Sequence, residues 1–379
     1  MITGELKSKV DLDGIAQIRM NNVSTDGTLS FENLRRVPKE FLKNESKLLR
    51  PGDIIFNSTN SPNLVGKTAY FEGFGEGISY SNHFLKIKTN DKILHPKYLT
   101  KWLTLQQQQG FFEANCIQWV NQATFKKEFL LKVQIPLPPL EEQKRIAEIL
   151  DKADALRQQR KQAIAKLDTL LQSIFLDMFG DPITNPKDWE VKKLGEVCGT
   201  CEKINPEKLP SDDFTYIDIA SIDRINGKIS DPKVIDTSSA PSRARQLVRK
   251  GDVIVSTVRP NLKGTSLVNE EYDSNICSTG FAVLRPKDSL LCSQYLYLIT
   301  RLDSFTDEVV KKCTGANYPA ITEKNLRSIE LPVPPIDKQE LFSKCFYRQT
   351  EIKSLQVDEY NKLDTLFNSL QQRAFKGEL

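Results

Sequence analysis

The sequence predicts an α+β fold: two strand-rich domains in a pseudo-two-fold tandem repeat, linked by two long helices that pair as an antiparallel coiled coil. Three observations predict it. The phrase "IPLPPLEEQ" at residues 135–143 returns as "LPVPPIDKQ" at 331–339, 196 residues later. After each phrase runs a long stretch of helically spaced apolar residues without Gly or Pro until Gly180 and Gly377. Before each lie short β-branched runs separated by Gly, Asn and Asp turns.

Composition agrees with this frame. A chain of 379 residues, 39% hydrophobic and 27% charged, suits two or three globular domains and excludes disordered or fibrous classes. It has no apolar run of about 18 residues, and its start, "MITGELKSKVDLDG", lacks a signal-peptide pattern. The expectation is a cytoplasmic protein. Seven scattered cysteines point to reduced thiols rather than a disulfide framework. A formal charge of only +4 means that any nucleic-acid surface must come from local clusters.

Taken in order, the first domain is expected over 1–134, the first helix over 135–180, the second domain over 181–330 and the second helix over 331–379. "RPGDIIFNSTNSPNLVGK" (50–67) matches "RKGDVIVSTVRPNLKG" (249–264), "NHFLKIK" (82–88) matches "TGFAVLR" (279–285), and "HPKYLTKWL" (95–103) matches "CSQYLYLIT" (292–300), at offsets of 196 to 199. "GDIIF", "GDVIVSTV" and "TYIDIASI" read as strands.

Each Pro-Pro element suits a helix entrance, where proline is tolerated. The 39 residues from Glu141 to Phe179 would form a rod of roughly 58 Å at about 1.5 Å per residue. A narrow apolar stripe on so long a rod needs a partner helix. The residues expected to pair are Ile146, Ile149, Ala153, Leu156, Leu167, Leu170 and Ile174 with Phe342, Ile352, Leu363, Leu366 and Leu370. Arg160 and Gln356 interrupt the stripe at equivalent positions, which suits a register-setting role. The plainer alternative is an amphipathic helix lying on its own domain.

Chemistry-bearing motifs are scarce. "GKT" at 66–68 lacks the earlier glycine of a phosphate loop, and "GFGEG" at 73–77 has the wrong spacing and an acidic residue. His83 and His95 are the two histidines, and neither has a counterpart in the second copy, as a positioned base would need a partner set. Cys198 and Cys201 form a lone C-x-x-C without a second pair, so no metal site is expected. With no Asn-Pro-Pro-aromatic or Asp-Pro-Pro-Tyr methyltransferase motif, the chain does not read as an enzyme.

What remains is binding. The stretch after "GDIIF" offers Asn57, Thr59, Asn60, Asn63 and Lys67, and that after "GDVIV" offers Thr257, Arg259, Asn261 and Lys263. Asn and Gln can pair with adenine and Arg or Lys with guanine, while hydroxyls take phosphates. A second polar stretch precedes each Pro-Pro element, with Gln118, Asn121 and Gln122 in one copy and Lys311, Lys312, Asn317 and Tyr318 in the other. Arg243 and Arg245 add a basic cluster. Each stretch alone reads as an ordinary solvated loop; their recurrence at corresponding positions favours a binding role.

A domain followed by Pro-x-Pro-Pro-x-x-x-Gln and a long helix, with the whole unit repeated, resembles the specificity subunits of type I restriction-modification systems. "IPLPPLEEQKRIAEILDKAD" with "LLQSIFLDMFGDP" is similar to that family's central conserved region, and "LPVPPIDKQ" through "QQRAFKGEL" to its C-terminal one. The resemblance implies two target recognition domains, each reading one half of a bipartite duplex sequence, with the helices fixing the unread spacer. It implies a non-catalytic chain without its own cofactor, two methyltransferase subunits carrying S-adenosylmethionine, and motor and nuclease subunits for cleavage. In one respect the chain departs from the pattern. The second domain opens with the lead-in "NPKDWEVKKLGEV", whereas aligning Ile15-Ala16 with Ile219-Ala220 leaves the first domain short of roughly 24 residues, with 14 before Ile15 against 38 between Gly180 and Ile219. Two rivals stand beside this reading: a coiled-coil scaffold with protein-binding domains, and a nuclease using scattered carboxylates such as Asp252.

Overall fold

The structure is a computed structural model that describes residues 14–41, 45–120, 122–315 and 318–379. The chain divides into two compact units: Met1–Lys161 with Glu359–Leu379, and Gln162–Asp358. Each unit therefore holds one strand-rich body, the start of its own long helix and the end of the other copy's helix.

In the first unit the strands are β1 (Ile15–Ile18), β2 (Arg35–Val37), β3 (Ile54–Asn57), β4 (Thr59–Asn60), β5 (Thr68–Tyr70), β6 (Ile78–Tyr80), β7 (Phe84–Ile87), β8 (Ile117–Gln118) and β9 (Ala123–Thr124). The short helices are α1 (Pro96–Gln108), α2 (Phe111–Ala114) and α3 (Lys127–Leu130), followed by the long α4 (Leu140–Phe179). Among the described residues three three-stranded sheets form, in the orders β2-β1-β6, β5-β3-β7 and β4-β9-β8.

The second unit adds β10 (Val191–Lys193), α5 (Leu194–Val197), β11 (Cys198–Gly199), β12 (Glu202–Lys203), β13 (Asp213–Ile217), β14 (Ile222–Asp223), β15 (Lys228–Ile229), β16 (Lys233–Asp236) and β17 (Ala244–Leu247). It continues through β18 (Val253–Ser256), β19 (Thr265–Leu267), β20 (Ile276–Ser278), β21 (Phe281–Pro286), α6 (Ser293–Arg301), α7 (Asp303–Lys311), α8 (Glu323–Arg327), β22 (Glu330–Pro332) and the long α9 (Ile336–Lys376). Its larger sheets run β12-β17-β20-β13-β16 and β11-β21-β18-β19.

The repeated Gly-Asp-apolar runs become the central strands β3 and β18. Both are buried on both faces, so they read as unbroken apolar runs rather than alternating ones. Alternate residues feed separate cores: Ile54 and Phe56 join Trp102, Leu103, Phe112 and Phe125, while Ile55 joins Ile18, Phe71 and Ile78. Val253 and Val255 divide from Ile254 in the same way. The preceding Gly-Asp is a turn. Gly52 and Gly251 take φ of 97° and 88°, which suits glycine, and the carboxylates of Asp53 and Asp252 each accept the main-chain N–H three residues back at 2.8 Å.

Matching β1·β6 with β13·β20 sets Ile18 opposite Tyr80 and Ile217 opposite Cys277, so Ile15 corresponds to Phe214 and not to Ile219. The expected alignment was five residues out, because the helical turns Met20–Asn22 and Ile219–Ser221 that follow the strands are the true equivalents.

The Pro-Pro-x-x-x-Gln phrase is a joint. Gln143 is buried; its Oε1 accepts His95 N–H at 2.8 Å, and its Nε2 donates to the carbonyls of Ile93 (2.9 Å) and Pro138 (2.8 Å). Gln339 repeats the pattern with Cys292, Leu290 and Pro334 at 2.9, 3.0 and 2.7 Å. Beside them the hydroxyls of Tyr98 and Tyr295 donate to the Pro136 and Pro332 carbonyls at 3.0 and 2.9 Å. Burial pushes the Tyr98 phenol up to about 12 and Tyr295 further, so both remain donors.

Helix pairing is confirmed within each unit, on a different seam from the expected one. In the first unit Arg157 of α4 reaches Asp364 of α9 and lies 4.3 Å from the Phe367 ring, and Arg160 meets Glu359 at 3.0 Å. In the second, the equivalent pair Lys353–Asp168 closes at 2.7 Å, and Phe175 and Phe179 pack on Phe342 and Tyr295. Ile146 and Phe342 are buried as expected, and Ile149, Ala153, Leu167, Ile174, Leu363 and Leu370 are half-buried. Leu156, Leu170, Ile352 and Leu366 instead face solvent. Leu156 sits about 80° around the helix from Ile146 at 3.6 residues per turn. Charged residues hold the seam in mid-helix, so tracing apolar residues alone drifts onto the neighbouring face.

Replacing Gln143 by Leu should strand one N–H and two carbonyls in a buried joint. We expect a loss of about 2–4 kcal/mol in urea unfolding, with Gln143→Glu also destabilising because the donor is gone. A change below about 0.5 kcal/mol would remove the joint from this account.

Candidate nucleic-acid interface

The two polar stretches that are far apart in sequence meet in space. In the first unit β4, carrying Thr59 and Asn60, pairs with β9, which pairs with β8. The loop after β3 and the hairpin 117–124 thus share one small sheet, locked by Phe125 N–H to Ser58 O at 2.8 Å. In the second unit Ile321 N–H to Thr257 O at 2.9 Å is the same bond, and Val258 bridges Ala320. There Arg259 N–H also donates to Pro319 O at 2.7 Å, and its guanidinium stacks 4.3 Å from the Tyr318 ring.

The structure sorts the expected residues. Exposed at the first unit's loop pair are Asn63, Gln118 and Gln122, beside Trp119 and Val120 at the hairpin tip, which the reading of polar residues passed over. Thr59 and Asn60 are half-buried, with Asn60 tied to Asn57 and to Ser61 N–H. Asn57 and Lys67 are withdrawn from the surface, a correction to the expected set. Asn57 is buried and its amide donates to the Thr59 and His83 carbonyls at 3.1 Å each. The Lys67 ammonium donates to the carbonyls of Met20 at 2.7 Å and of Val23, and burial lowers its pKa. Both shape the loop from beneath. Asn121 and Asn317 lie outside the described residues.

In the second unit Arg243, Arg259, Asn261, Lys311 and Tyr318 are exposed. Thr257 spends its hydroxyl on Gly280 O at 2.9 Å, and Thr279 N–H donates to Arg243 O, which brings Arg243 within one strand of the loop. Arg245 is half-buried and donates to the Ala244 carbonyl. Lys263 pairs with Asp303, and Lys311 and Lys312 share Glu308 at 3.2 and 4.0 Å, which tempers their charge. Arg259 and Lys263 hold left-handed backbone at φ 49° and 52°, an arrangement costing about 1–3 kcal/mol each for non-glycine residues.

Groups weighed for other chemistry have structural partners. Asp252 is buried against Arg285 at 2.7 Å, and His83 and His95 take part through their main chains. Burial pushes the Cys198 thiol up to about 12 and Cys201 up to about 11, so both stay protonated. Among the described residues no group of three or more His, Cys, Asp or Glu is placed to share a metal ion, and no helix is long and apolar enough to cross a membrane.

A family model described as the type I restriction modification DNA specificity domain matches residues 11–166 and again 186–370. The chain belongs to this family. Its duplicated bodies are therefore two DNA specificity domains in tandem, as type I specificity subunits carry, and the scaffold reading is set aside. The chain is 25% identical over 356 residues to the type I restriction enzyme MjaVIII specificity subunit of Methanocaldococcus jannaschii, covering 86% of this chain and 77% of that one. It is 24% identical over 401 residues to the StySPI specificity subunit of Salmonella potsdam, covering 97% and 83%. A solved chain from a study of complex assembly and conformational transition of the type I system shares the fold at TM-score 0.56 and 21% identity, covering 96% and 92%. The solved S subunit of a type I restriction-modification system from M. genitalium shares it at TM-score 0.53 and 15% identity, covering 99% and 91%.

Lys67→Met should lower thermal stability by the equivalent of about 1–3 kcal/mol by stranding two carbonyls, whereas Asn63→Ala, on the exposed loop, should leave the melting temperature unchanged. Equal effects in a thermal melt would contradict this division between supporting and presented residues.

Proposed function

We propose that each unit reads one half of a bipartite duplex through its sheet-anchored loop pair, and that this chain is the non-catalytic recognition subunit of its complex. The observation carrying the proposal is the recurrence of one construction in both units: a loop after a doubly buried strand, tied by the equivalent Ser58–Phe125 and Thr257–Ile321 bonds to a second exposed polar loop. The tips differ in chemistry, Trp119 with Gln118 and Gln122 in one and Arg259 on Tyr318 in the other, which suits two unlike half-sites. In this reading residues 1–134 and 181–330 recognise DNA, and 135–180 and 331–379 set the spacer.

The outward-facing apolar residues of the long helices support a second part of the proposal. Leu156 and Ile352 are equivalent in the repeat, as are Leu170 and Leu366, and all four are exposed. We assign them to docking of two methyltransferase subunits, which would bring S-adenosylmethionine, with motor and nuclease subunits joining for cleavage.

Methylation mapping with and without this chain, in cells supplying the methyltransferase, should reveal a two-part adenine motif with an unread gap; no motif would count against the reading. On duplexes bearing that motif, Arg259→Ala should weaken one half-site by about 1–3 kcal/mol, roughly 5- to 150-fold, and leave the other unchanged. Equal loss at both halves would overturn the division of labour. Leu170→Glu with Leu366→Glu should abolish co-purification of the methyltransferase without changing the melting temperature of the isolated chain; retained co-purification would refute the docking assignment.

A further inference from the structure

Left-handed backbone favours glycine or asparagine, yet the second unit places an arginine there, directly before a proline. Arg259 holds φ 49° and ψ 56° at the entrance of the helical turn Pro260–Leu262, whereas Ser61, the matching residue of the first unit, is extended. The side chain is held as firmly as the backbone. Its guanidinium carbon lies 4.3 Å from the centre of the Tyr318 ring. The segment carrying Tyr318 is closed by paired main-chain bonds between Thr314 and Ala320, at 2.9 and 3.0 Å. It is joined to the Arg259 loop by the Val258–Ala320 bridge and by Arg259 N–H to Pro319 O at 2.7 Å. Gly315, at φ 91°, permits the closure, since a Cβ there would lie 2.9 Å from the Tyr318 carbonyl oxygen. Ring and guanidinium therefore sit on two loops that cannot shift independently.

Stacking uses the flat face of a guanidinium and leaves its rim of N–H donors pointing outward. Among the described residues no acceptor engages that rim on Arg259. Lys263, Lys311 and Lys312 nearby are each beside a carboxylate. A fork of donors without an acceptor matches a partner that presents two acceptors side by side. Among base edges in the major groove, guanine alone does so, through O6 and N7: adenine sets a donor beside its N7, thymine offers one acceptor and a methyl group, and cytosine offers a donor. Phosphates also present paired acceptors, but mobile, unstrained cations serve them, and they ask for no strained and doubly tied backbone.

Given the reading of the second unit as a half-site reader, on which this step rests, we propose that Arg259 reads one guanine of that half-site through O6 and N7. Tyr318 is the positioning residue: it touches no base in this scheme and holds the fork in the plane of the base pair. The pairing is directional, because a G·C pair turned about presents its cytosine edge where the fork expects two acceptors.

The test titrates the full chain with its methyltransferase onto duplexes carrying the mapped two-part motif, each guanine in turn replaced by 7-deazaguanine, which lacks the N7 acceptor. The wild-type complex should lose roughly ten-fold in affinity at one guanine of one half. Arg259→Ala should bind the unmodified duplex more weakly and show no further loss on that 7-deaza duplex, because the contact is already gone. Arg259→Lys, which keeps the charge but not the fork, should lose the same guanine dependence while keeping the salt dependence of the wild type. Tyr318→Leu should reduce the guanine dependence at an unchanged melting temperature, and Tyr318→Phe, which keeps the ring, should restore it. A 7-deaza penalty that survives in Arg259→Ala, or a motif with no sensitive guanine, would overturn the proposal. So would an Arg259→Ala loss that falls equally on motif and scrambled duplexes with a salt slope smaller by about one, the mark of a phosphate contact. In each of these cases a complex that still prefers the motif over a scrambled duplex leaves the half-site reading standing, and a complex with no such preference sinks both.

Discussion

Everything in this molecule hangs from one amide side chain used twice. Gln143 and Gln339 sit in the first turns of 40- and 41-residue helices, where main-chain N–H donors have no helical partner. Each reaches out of its helix to bind the turn before α1 or α6 and the carbonyl of its own proline phrase. A rigid rod turns a small error at its root into a large one at its tip, so the angle at which it leaves the body must be set by several bonds at once. Gln supplies both a donor and an acceptor in one plane, and a buried Tyr hydroxyl clamps the proline carbonyl beside it.

The parts legible in sequence were those where local pattern and tertiary role coincide. The tandem repeat, the strands β3 and β18, and both rods came directly from spacing and phrase. The seam did not, because Arg157, Arg160 and Lys353 occupy its centre and make ion pairs there instead of apolar contacts. Asn57 and Lys67 misled for a related reason. Polar residues in a loop are indistinguishable by type whether they face solvent or satisfy carbonyls beneath it, and only the fold reveals that the His83, Met20 and Val23 carbonyls needed donors. The meeting of the two polar stretches was invisible as well, since it rests on pairings across 65 residues in one unit and 62 in the other.

The two loop pairs show how one scaffold can carry different surfaces. Between the last residue of the central strand and the shared Pro-Asn-Leu, the second copy is one residue shorter. The tighter path is met by left-handed backbone at Arg259 and Lys263, held by the Arg259–Pro319 bond, whereas Ser61 at the matching place stays extended. The anchoring bonds beneath are unchanged, so variation at the tips leaves the cores untouched.

The division of each rod between the two units has a consequence for how the chain is made. The first body is synthesised first, yet the segment that covers Ile146, Leu150 and Tyr98 is Glu359–Leu379, made after the whole second body. During vectorial synthesis the apolar face of α4 therefore waits through the production of about 200 further residues, including the whole second body, before Phe367, Ala374 and Phe375 close over it. Contacts of such sequence separation form slowly. Completion of the first unit thus waits until the whole second body has been made, and any chain cut short before Glu359 carries an open first unit.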